Sequence, residues 1–520
     1  MRKTLFGNQL NIGDVVEDKM KEASIMENEI FYCDTGDTVT LYWDVPNDRK
    51  AETVYTVYLD DEAAGTTERT HYTIEGLTPD TDYHFKVTEN DTYVGDCSLH
   101  TSCKRKRIDV TTRGAAGDGK TMNTAALQNA IDACGPDEEL YFPAGEYLTG
   151  ALRLHSEMAI YLDEGAVLQG TDRPEDYLPR ILSRFEGTEM MCYSSLLNLG
   201  ELDHDSGPNC HDVLIYGKGT IASGGQVLAL RIIESERELL RDYLAANKEL
   251  VSTCENDNTI PGRVRPRLIN LSNCRNIRIT GLTLKNGASW NVHMIYSDNI
   301  ITDHCTFVSE GVWNGDGWDP DSSENCTLFA SRFYTEDDSV AIKSGKNPEG
   351  NVVNRPSRHI RVFDCYSDCG HGICMGSEMS GGIEDVRIWD CDLARSLNGI
   401  EIKATKKRGG YVRDIHVQDC VLPRLMVHTV GYNDDGIPAD HPPVFERCSF
   451  ERLKITGRAQ NHREQWSWSD VCPVELAGFE EPGYELREVT FRDCTLGGKD
   501  PTVHLSNCKN ISFENISCVE

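Results

Sequence analysis

The second half of the chain repeats a short strand pattern, and this repeat restricts the possible folds more than any other feature. Each unit is a β-branched run followed by two polar residues and usually Cys, at 300–305, 360–365, 386–391, 415–420 and 489–494. The cysteines at 365, 391 and 420 are 26 and 29 residues apart. Short strands at a period of about 20 to 30 residues are typical of a solenoid, in which each repeat stacks on its neighbours.

Three strands and turns per repeat favour a right-handed parallel β-helix, an all-β fold. A leucine-rich repeat would need a Leu-x-x-Leu-x-Leu frame, which the sequence lacks. We interpret the cysteines as structural, because a small apolar side chain packs well at an inward turn and stacks on the next coil. The nearest pairs, Cys365-x3-Cys369 and Cys369-x4-Cys374, do not have the close spacing of a metal site, so we predict neither a metal nor another cofactor.

The N-terminal part of the chain has a different pattern. Residues 38–43 and 53–59 alternate apolar and polar side chains, as half-buried strands do. Trp43 lies in an early strand, and Tyr83 follows the Leu-Thr-Pro sequence that ends at Pro79. This segment resembles a fibronectin type III module. We therefore predict an N-terminal segment (1–27), a small β-sandwich (28–104) and a β-helix (105–520).

The charge balance excludes several classes of partner. Lys and Arg number 52 against 84 Asp and Glu, so the formal net charge of the 520 residues is 52 − 84 = −32. Nucleic acids and anionic membrane surfaces need a basic face, and no apolar run approaches the roughly 18 residues that span a bilayer. The first residues contain no apolar stretch of signal-peptide length. Together with 20 cysteines, this predicts a reducing, cytoplasmic location; the number of subunits is left open.

An acidic cluster within the repeats carries the chemistry. Asp316 and Asp338 are 22 residues apart, about one coil, and stacked strands lie about 4.8 Å apart. Asp316 should therefore lie beside the Asp337-Asp338 pair. Three carboxylates that close together cannot all ionise easily, so we expect the pKa of at least one to be raised, as general acid catalysis needs.

The next coils add cationic groups to this column. His371 lies 34 residues after Asp337, and Lys403 follows His371 by another 32. Allowing for a loop at 344–357, these residues fall on neighbouring coils, with Lys343 near the edge of the column. The joint occurrence at coil spacing favours an active site over a set of structural side chains.

A calcium loop is an alternative interpretation of the acidic run. Asp316, Asp319 and Asp321 come close to the alternate spacing of calcium ligands. The twelfth position of such a loop should hold glutamate, but Thr327 stands there. A non-catalytic, carbohydrate-binding β-helix with a calcium site nevertheless remains an alternative.

These motifs together resemble glycoside hydrolase family 28, the polygalacturonase family. The resemblance covers about residues 108–425, with repeats continuing to 520. It includes the Asn-x-Asp motif at 314–316, Asp-Asp at 337–338, Gly-His-Gly at 370–372, and the glycine-containing segments at 114–119, 142–150, 165–170, 287–290 and 376–378. The family fold is a right-handed parallel β-helix, which agrees with the repeat.

The resemblance implies hydrolysis of an α-1,4-galacturonide bond with inversion of configuration. Asp337 would be the general acid, and Asp316 and Asp338 would activate water. His371 would tune the acid and hold substrate. The resemblance also implies substrate-binding roles: Asn314 would orient Asp316, and Lys343 and Lys403 would face uronate carboxylates.

One position departs from the family pattern. The last family motif is Arg-x-Lys, but here Glu401 precedes Ile402 and Lys403. Residues 401 and 403 share a strand face, so a carboxylate replaces a carboxylate-binding guanidinium. Either Arg395 or Arg408 supplies the missing charge, or the subsite takes a different sugar.

The predicted activity is exo-hydrolysis of oligogalacturonides. An N-terminal fibronectin-like domain before the β-helix resembles bacterial exo-acting members of the family, and an insert near 185–262 could close one end of the groove. The predicted partner is a pectic oligosaccharide. Glu401 keeps a second enzyme class open, a hydrolase for rhamnogalacturonan or substituted galacturonan. Pectate lyase is disfavoured, since lyases need calcium and an arginine base.

Overall fold

The computed structural model describes residues 29–46, 49, 52–499 and 501–519. The predicted segment 1–27 therefore lies outside the described residues. The chain divides into two compact units, with the boundary between Arg105 and Lys106. None of the helices in the described residues has the length and apolar character needed to cross a membrane.

The N-terminal unit is a β-sandwich of two antiparallel sheets around its own core. The sheets contain the strands Phe31–Asp34, Thr38–Tyr42 and His71–Glu75, and the strands Glu62–Thr67, Tyr55–Leu59, Asp82–Glu89 and Thr92–His100. Trp43 lies in the core and meets Tyr55 edge to face, with ring centroids 5.1 Å apart. The hydroxyl of Tyr83 accepts a hydrogen bond of 3.0 Å from the amide of Thr78, which fixes the corner before its strand.

The second unit is a right-handed parallel β-helix, which confirms the predicted fold class. Within the described residues, each coil contributes strands in turn to three faces, so strands that are neighbours in a sheet come from successive coils. The longest sheet contains the strands Lys106–Asp109, Glu138–Phe142, Met158–Leu162, Cys210–Gly217, Cys274–Thr280, Asp298–Asp303, Glu324–Phe329, Ser357–Phe363, Ile383–Trp389, Tyr411–Gln418, Val444–Glu451, Leu486–Arg492 and Cys508–Glu514.

The second face is called the cleft sheet below, because it carries the candidate site. Its strands are Leu152–Leu154, Leu197–Leu199, Ile269–Ser272, Val292–Ile295, Trp318–Asp321, Val340–Ile342, Gly372–Met375, Gly399–Ala404, Leu425–Thr429, Val474–Ala477 and Val503–Ser506. The third face has the strands Gly145–Thr149, Ala166–Gly170, Thr220–Ala222, Thr283–Lys285, Thr306–Val308, Arg332–Tyr334, Tyr366–Cys369, Val421–Leu422, Lys454–Ile455, Thr495–Leu496 and Ser517–Cys518.

The register of the coils stacks like side chains on one another. In the cleft sheet, Trp318 pairs with Val340, Val340 with Ile373, Ile373 with Ile400, and Ile400 with Leu425. All five side chains are buried in the core of the solenoid. Side chains alternate along a strand, so the residues on either side of each buried one point away from the core. The cleft sheet therefore presents every second residue to solvent or to substrate.

The Asp-Cys repeat marks one turn of the coil. His304, Asp364, Asp390, Asp419 and Asp493 each precede a repeat cysteine and have φ between 48° and 56°. Short polar side chains tolerate this left-handed conformation better than most residues do. The cysteines that follow are buried in the core, as the stacking interpretation predicts.

Several hairpins and helices lie outside the repeat of the β-helix. Two antiparallel hairpins, Ile181–Phe185 with Thr188–Cys192 and Arg458–Asn461 with Ser467–Asp470, leave the coils. The helices are Thr124–Asp132, Gly225–Leu239, Arg241–Ala246, Lys248–Ser252, Thr259–Gly262 and Glu349–Val353, with 3-10 turns at Val110–Arg113, Pro174–Tyr177 and His462–Glu464. Residues 231–250 do not form one continuous helix, because the structure divides this segment at Leu240 and Asn247.

Candidate active site

The strand register places Asp316, Asp338 and His371 side by side on successive coils of the cleft sheet. Each residue lies just before its strand begins. The amide of Gly317 donates to the carbonyl oxygen of Asp338 at 3.0 Å, and the amide of His371 donates to that of Asp337 at 2.9 Å. The backbone ladder therefore holds these side chains at strand spacing, as the coil arithmetic predicts.

His371 lies between two carboxylates. Its Nδ1 is 3.1 Å from Oδ1 of Asp337 and 3.6 Å from Oδ1 of Asp338. The Nζ of Lys403 is 3.7 Å from Oδ2 of Asp338. Two acids and two bases therefore form one contiguous polar group on the cleft sheet.

The charges of this group decide where its protons reside. Burial acts to lower the pKa of His371, but Asp337 and Asp338 outweigh burial and raise that pKa to about 10. Burial acts to raise the pKa of Asp337, but the charge and hydrogen bond of His371 outweigh it and lower that pKa. Asp337 and His371 therefore form an ion pair that carries one proton at neutral pH.

The pKa of Asp316 is raised, whereas that of Asp337 is lowered. Burial raises the pKa of Asp316 to about 7, although Lys343 opposes the rise, and the nearby Asp337 and Asp338 add to it. The Nζ of Lys343 is 3.0 Å from Oδ2 of Asp316. Of Asp316 and Asp337, the carboxyl with the raised pKa is thus Asp316, whereas the family resemblance assigns the general acid to Asp337.

Lys343 is surrounded by acidic side chains. Besides Asp316, its Nζ lies 3.6 Å from Oδ2 of Asp319 and 4.0 Å from Oε2 of Glu378. It also lies 4.5 Å from the ring centroid of Trp290, a favourable position for a cation. Burial acts to lower the pKa of Lys343, but Asp319 and Asp316 raise it well above the usual range. Lys343 thus remains charged and positions Asp316.

Glu401 is held by its neighbours. Its Oε2 lies 3.1 Å from Nζ of Lys403 and accepts a hydrogen bond from the side-chain Nδ2 of Asn398 at 3.1 Å. Its Oε1 lies 2.7 Å from Nε2 of His428. Burial acts to raise the pKa of Glu401, but Lys403 and His428 outweigh it and lower that pKa. The carboxylate therefore neutralises Lys403.

Asn314 is held by a buried arginine. Its Oδ1 accepts a 2.6 Å hydrogen bond from Nη2 of Arg265, whose Nη1 donates to the carbonyl oxygen of Trp313 at 2.8 Å. Asn314 itself has a φ of 51°, a conformation that asparagine tolerates. Arg265 thus fixes the loop before Asp316, and Lys343 fixes the carboxylate of Asp316.

The predicted catalytic and substrate-binding residues line one cavity of about 480 Å³. These residues are Asn314, Asp316, Asp337, Asp338, Lys343, His371, Glu401 and Lys403. Inserted segments complete the walls: Glu186 comes from the first hairpin, Glu255 from the helical insert, and Arg463 from the second hairpin. The cavity has a polar, mainly charged lining, which suits an ionic sugar.

The two arginines that the sequence offered as sources of the missing charge bond elsewhere. Arg408 is fully buried and donates to the carbonyl oxygen of Ser377 at 3.0 Å. Arg395 pairs with Asp368 at 3.3 Å, and neither arginine is among the residues that line the cavity. Arg424 and Arg463 line it instead.

The sequence contained a signal for one of these arginines and not for the other. Arg424 directly precedes the strand that begins at Leu425, one coil after Glu401, so the period could have identified it. Arg463 lies in a hairpin that interrupts the period. His428, also missed, pairs in register with Lys403.

Among the described residues, two groups of side chains have the spacing of metal ligands. In each, the ligand atoms lie within 4.8 Å of one another; the groups are Asp337, Asp338 and His371, and Asp338, Cys374 and Glu401. With its pKa raised to about 10, His371 is protonated at neutral pH and has no free lone pair. Lys403 lies at both Asp338 and Glu401, so a protein cation already balances the second group.

The acidic run considered as a calcium loop is also matched to protein cations. Asp316 and Asp319 face Lys343. Asp321 pairs with the buried Arg184, at 2.8 Å. The spacing that resembles a calcium loop therefore arises from strand alternation in the cleft sheet.

Three family models match parts of the two units. A family model described as glycosyl hydrolases family 28 matches residues 206–430, and one described as rhamnogalacturonase A/epimerase, pectate lyase-like, matches 107–165. A fibronectin type III model matches 28–104.

Curated relatives are similar over much of the chain. The exo-poly-alpha-D-galacturonosidase of Dickeya chrysanthemi is 26% identical, with 92% of this chain and 88% of that protein covered. A probable polygalacturonase of Vitis vinifera is 33% identical, with 62% of each chain covered.

Solved structures have the same fold. The family 28 exopolygalacturonase of Yersinia enterocolitica aligns with a TM-score of 0.80 at 21% identity, covering 94% of this chain and 96% of that one. The exopolygalacturonase of Thermotoga maritima aligns with a TM-score of 0.65 at 25% identity, covering 79% and 91%. The β-helix of this chain thus contains a glycosyl hydrolase family 28 domain, and a fibronectin type III domain precedes it in the sequence.

Proposed function

We propose that the protein is an exo-polygalacturonase that hydrolyses the terminal α-1,4-galacturonide bonds of oligogalacturonides with inversion of configuration. The observation that carries this proposal is the convergence of Asp316, Asp337, Asp338 and His371 in one cavity walled by inserted segments. The relative from Dickeya chrysanthemi, similar over most of both chains, is named for the same activity.

The leaving oxygen takes its proton from the pair of Asp337 and His371. The two groups share one proton across 3.1 Å. As the bond from C1 to the glycosidic oxygen breaks, the oxygen gains negative charge and becomes the stronger base. The proton then passes to it through Asp337, and His371 ends the step neutral. This arrangement keeps the proton available at neutral pH, although Asp337 alone would be ionised.

Asp316 is the base that accepts a proton from the attacking water. The new bond forms between the water oxygen and C1, on the face opposite the leaving oxygen, and the water proton passes to the Asp316 carboxylate. Asp338, next to Asp316 in the column, stabilises the positive charge that develops on the sugar ring. Because the pKa of Asp316 is raised to about 7 by burial, this step needs a pH near or above 7.

The distances favour Asp316 over Asp338 as the partner of the acid. Inverting enzymes keep their two carboxyls about 6.5 to 9.5 Å apart so that a water fits between them. The ligand atoms of Asp337 and Asp338 lie within 4.8 Å of each other, which leaves less room than that. Asp316 lies on the preceding coil, where Lys343 holds its carboxylate at 3.0 Å.

The exo mode is supported by the walls of the cavity. Arg263, at the end of the helical insert, binds Asp435 through both Nη atoms at 3.0 Å each and Glu186 through Nε at 2.8 Å. The amide of Glu255 donates to Oδ1 of Asn433 at 2.9 Å. The insert, the first hairpin and the loop after the Leu425–Thr429 strand are thus joined into one wall. Such a wall admits the end of a chain and blocks its middle.

Product analysis tests this function. The wild type should shorten tri- and tetragalacturonate from one end and release a constant small product, with slow loss of polygalacturonate viscosity. Asp337→Asn should abolish release, whereas Asp132→Asn, at an exposed position on the Thr124–Asp132 helix, should not. Proton NMR should show the β-anomer first. Internal cleavage, an unsaturated product, or activity on rhamnogalacturonan fragments alone would overturn the proposal.

We further propose that the enzyme works in the cytoplasm. The twenty cysteines are free thiols, and some stack closely, since the amide of Cys391 donates to Sγ of Cys420 at 3.4 Å. Adjacent thiols persist in a reducing compartment and cross-link in an oxidising one. Cell fractionation with an antibody tests the location; recovery only from the medium would contradict it.

A further inference from the structure

Both lysines of the cavity are held by protein carboxylates. Lys343 lies at Asp316 and Asp319, and Lys403 lies at Asp338 and Glu401. A uronate substrate nevertheless brings one carboxylate per sugar residue into the cavity. It needs a cation that is within reach and still has donors to offer. Two arginines, Arg424 and Arg463, line the cavity as well.

Arg424 is the less exposed of the two arginines, and it already bonds to a side chain of the cavity. Its Nη2 donates to Oδ1 of Asn398 at 2.5 Å, and its Nε is buried with no hydrogen-bond partner in the described residues. Its side chain is only partly exposed. A guanidinium in this position supports Asn398, which in turn donates to Glu401.

Arg463 is more exposed than Arg424, and its guanidinium is held in a fixed orientation. Its side chain is 42% exposed. Nε binds Oε1 of Glu336 at 2.7 Å, and Nη2 binds the carbonyl oxygen of Glu336 at 2.7 Å. His462 holds the other oxygen of Glu336 at 3.2 Å. The guanidinium is therefore fixed in orientation, and its Nη1 has no hydrogen-bond partner in the part of the chain that the structure describes.

The position of Arg463 identifies the sugar that it faces. Its Nη2 lies 3.8 Å from Oδ2 of Asp337. Asp337 gives its proton to the glycosidic oxygen, and that oxygen departs with the leaving sugar. A cation at this distance from the acid therefore lies on the leaving side of the scissile bond.

We propose that Arg463 binds the carboxylate of the uronic acid residue on the leaving side of the bond, and so makes the enzyme selective for an acidic leaving group. This proposal rests on the proposed function. The Arg458–Asn461 and Ser467–Asp470 hairpin is then a specificity element, which presents a fixed guanidinium to the substrate from outside the coils.

The test compares two leaving groups. Trigalacturonate has a charged leaving sugar, whereas release of 4-nitrophenol from the 4-nitrophenyl α-glycosides of galacturonate and digalacturonate reports cleavage of a bond to a neutral leaving group. Loss of a charge-assisted hydrogen bond corresponds to roughly a 10- to 100-fold effect. Arg463→Ala should lower kcat/KM by that factor on trigalacturonate, mainly through KM, and by less than about threefold on the nitrophenyl glycosides. Arg463→Lys should recover part of the loss.

Control variants separate this role from others. Arg458→Ala, in the same hairpin but with its guanidinium over the exposed Trp468 at 5.6 Å, should keep the wild-type ratio of the two activities. An equal loss on both substrates, or a loss on trigalacturonate that falls on kcat and not on KM, would show that Arg463 does not act by binding the leaving sugar and would overturn the proposal. So would a selective loss in Arg424→Ala and not in Arg463→Ala. A wild type that cleaves neither substrate would instead refute the proposed function, and this proposal with it.

Discussion

At the residue scale, the chemistry depends on how a small set of buried charges shares its protons. The ion pair of Asp337 and His371 holds one proton, and the Asp316 carboxyl, with a pKa raised to about 7 by burial, holds or releases another. Lys343 and Lys403 stay charged because acids surround them. Changing one of these charges should therefore alter the pH dependence of kcat/KM more than it alters substrate binding.

Replacing Lys343 by methionine should shift the acid side of the pH profile. Lys343 opposes the rise in the pKa of Asp316, so its removal should raise that pKa further. Asp316 must be ionised to accept the water proton. The midpoint of the acid limb of kcat/KM, expected near pH 7 in the wild type, should then move upward by about one unit or more.

The measurement is kcat/KM for trigalacturonate between pH 4 and 10, on variant protein whose folding has been checked by thermal unfolding. Lys406→Met is the matched control, because Lys406 is 65% exposed and pairs with Glu481 at the surface. An acid limb that stays in place in Lys343→Met would show that Asp316 is not the base.

Placing arginine at position 401 should harm the enzyme, even though the family motif has arginine there. Glu401 lies at Lys403 and His428 and close to Asn398, so a guanidinium in its place would put a second buried cation beside Lys403. Breaking a buried pair costs about 3 to 5 kcal/mol, and repulsion adds to this. Glu401→Arg should melt at a lower temperature and lose at least tenfold in kcat/KM, and Glu401→Gln should be milder. Wild-type stability and activity in Glu401→Arg would contradict this role of Glu401.

The motif residues of the site could be predicted from the sequence, but their protonation could not. The period of the coils and the family motifs brought Asp316, Asp337, Asp338 and His371 together. The proton assignment depends on burial and on contacts such as that of Lys343 with Asp319, which come from neighbouring coils. Spacing along the chain does not contain this information.

At the scale of elements, the wall of the cavity is joined by a bidentate ion pair. Arg263 and Asp435 come from the helical insert and from the loop after the Leu425–Thr429 strand, and both side chains are largely buried. Lys346 also pairs with Asp435. A buried pair of this geometry is worth more than a surface pair.

Breaking this pair should loosen the wall and admit internal segments of polymer. Asp435→Ala leaves Arg263 with Glu186 alone, so we expect a higher KM for trigalacturonate and a several-fold faster loss of polygalacturonate viscosity per bond cleaved. Arg241→Ala removes an exposed pair with Glu238 on the same insert and should have no such effect. Unchanged product lengths and viscosity in Asp435→Ala would show that the pair does not set the exo mode.

The periodic elements were predictable and the inserted ones were not. Strands of the β-helix follow a repeat whose turn residue, such as Asp364 or Asp390, needs a left-handed conformation, and this leaves a mark in the sequence. The Arg458–Asn461 and Ser467–Asp470 hairpin follows no period, and its contacts with Glu336 are long-range. A feature that depends on contacts of this kind has no local signature.

At the scale of the whole molecule, the charge of −32 opposes the approach of a polyanion. The cations of the cavity act only at short range, because carboxylates lie beside them. Long-range repulsion between a negative protein and a negative polymer is screened by salt, with a Debye length of about 30 Å at 0.01 M and about 8 Å at 0.15 M. Contacts inside the cavity are screened much less, since they lie within a few ångströms.

The enzyme should therefore work better on polymer when salt is added. Between about 10 and 150 mM NaCl we expect kcat/KM for polygalacturonate to rise several-fold, with kcat nearly constant, because association is the step that repulsion slows. Trigalacturonate carries only three charges and should show a smaller rise. Initial rates at constant pH, measured by release of reducing ends, provide the comparison. A steady fall in kcat/KM with salt for both substrates would mean that cations near the cavity attract the substrate from a distance, and that the net charge of the molecule does not govern its encounter with pectin.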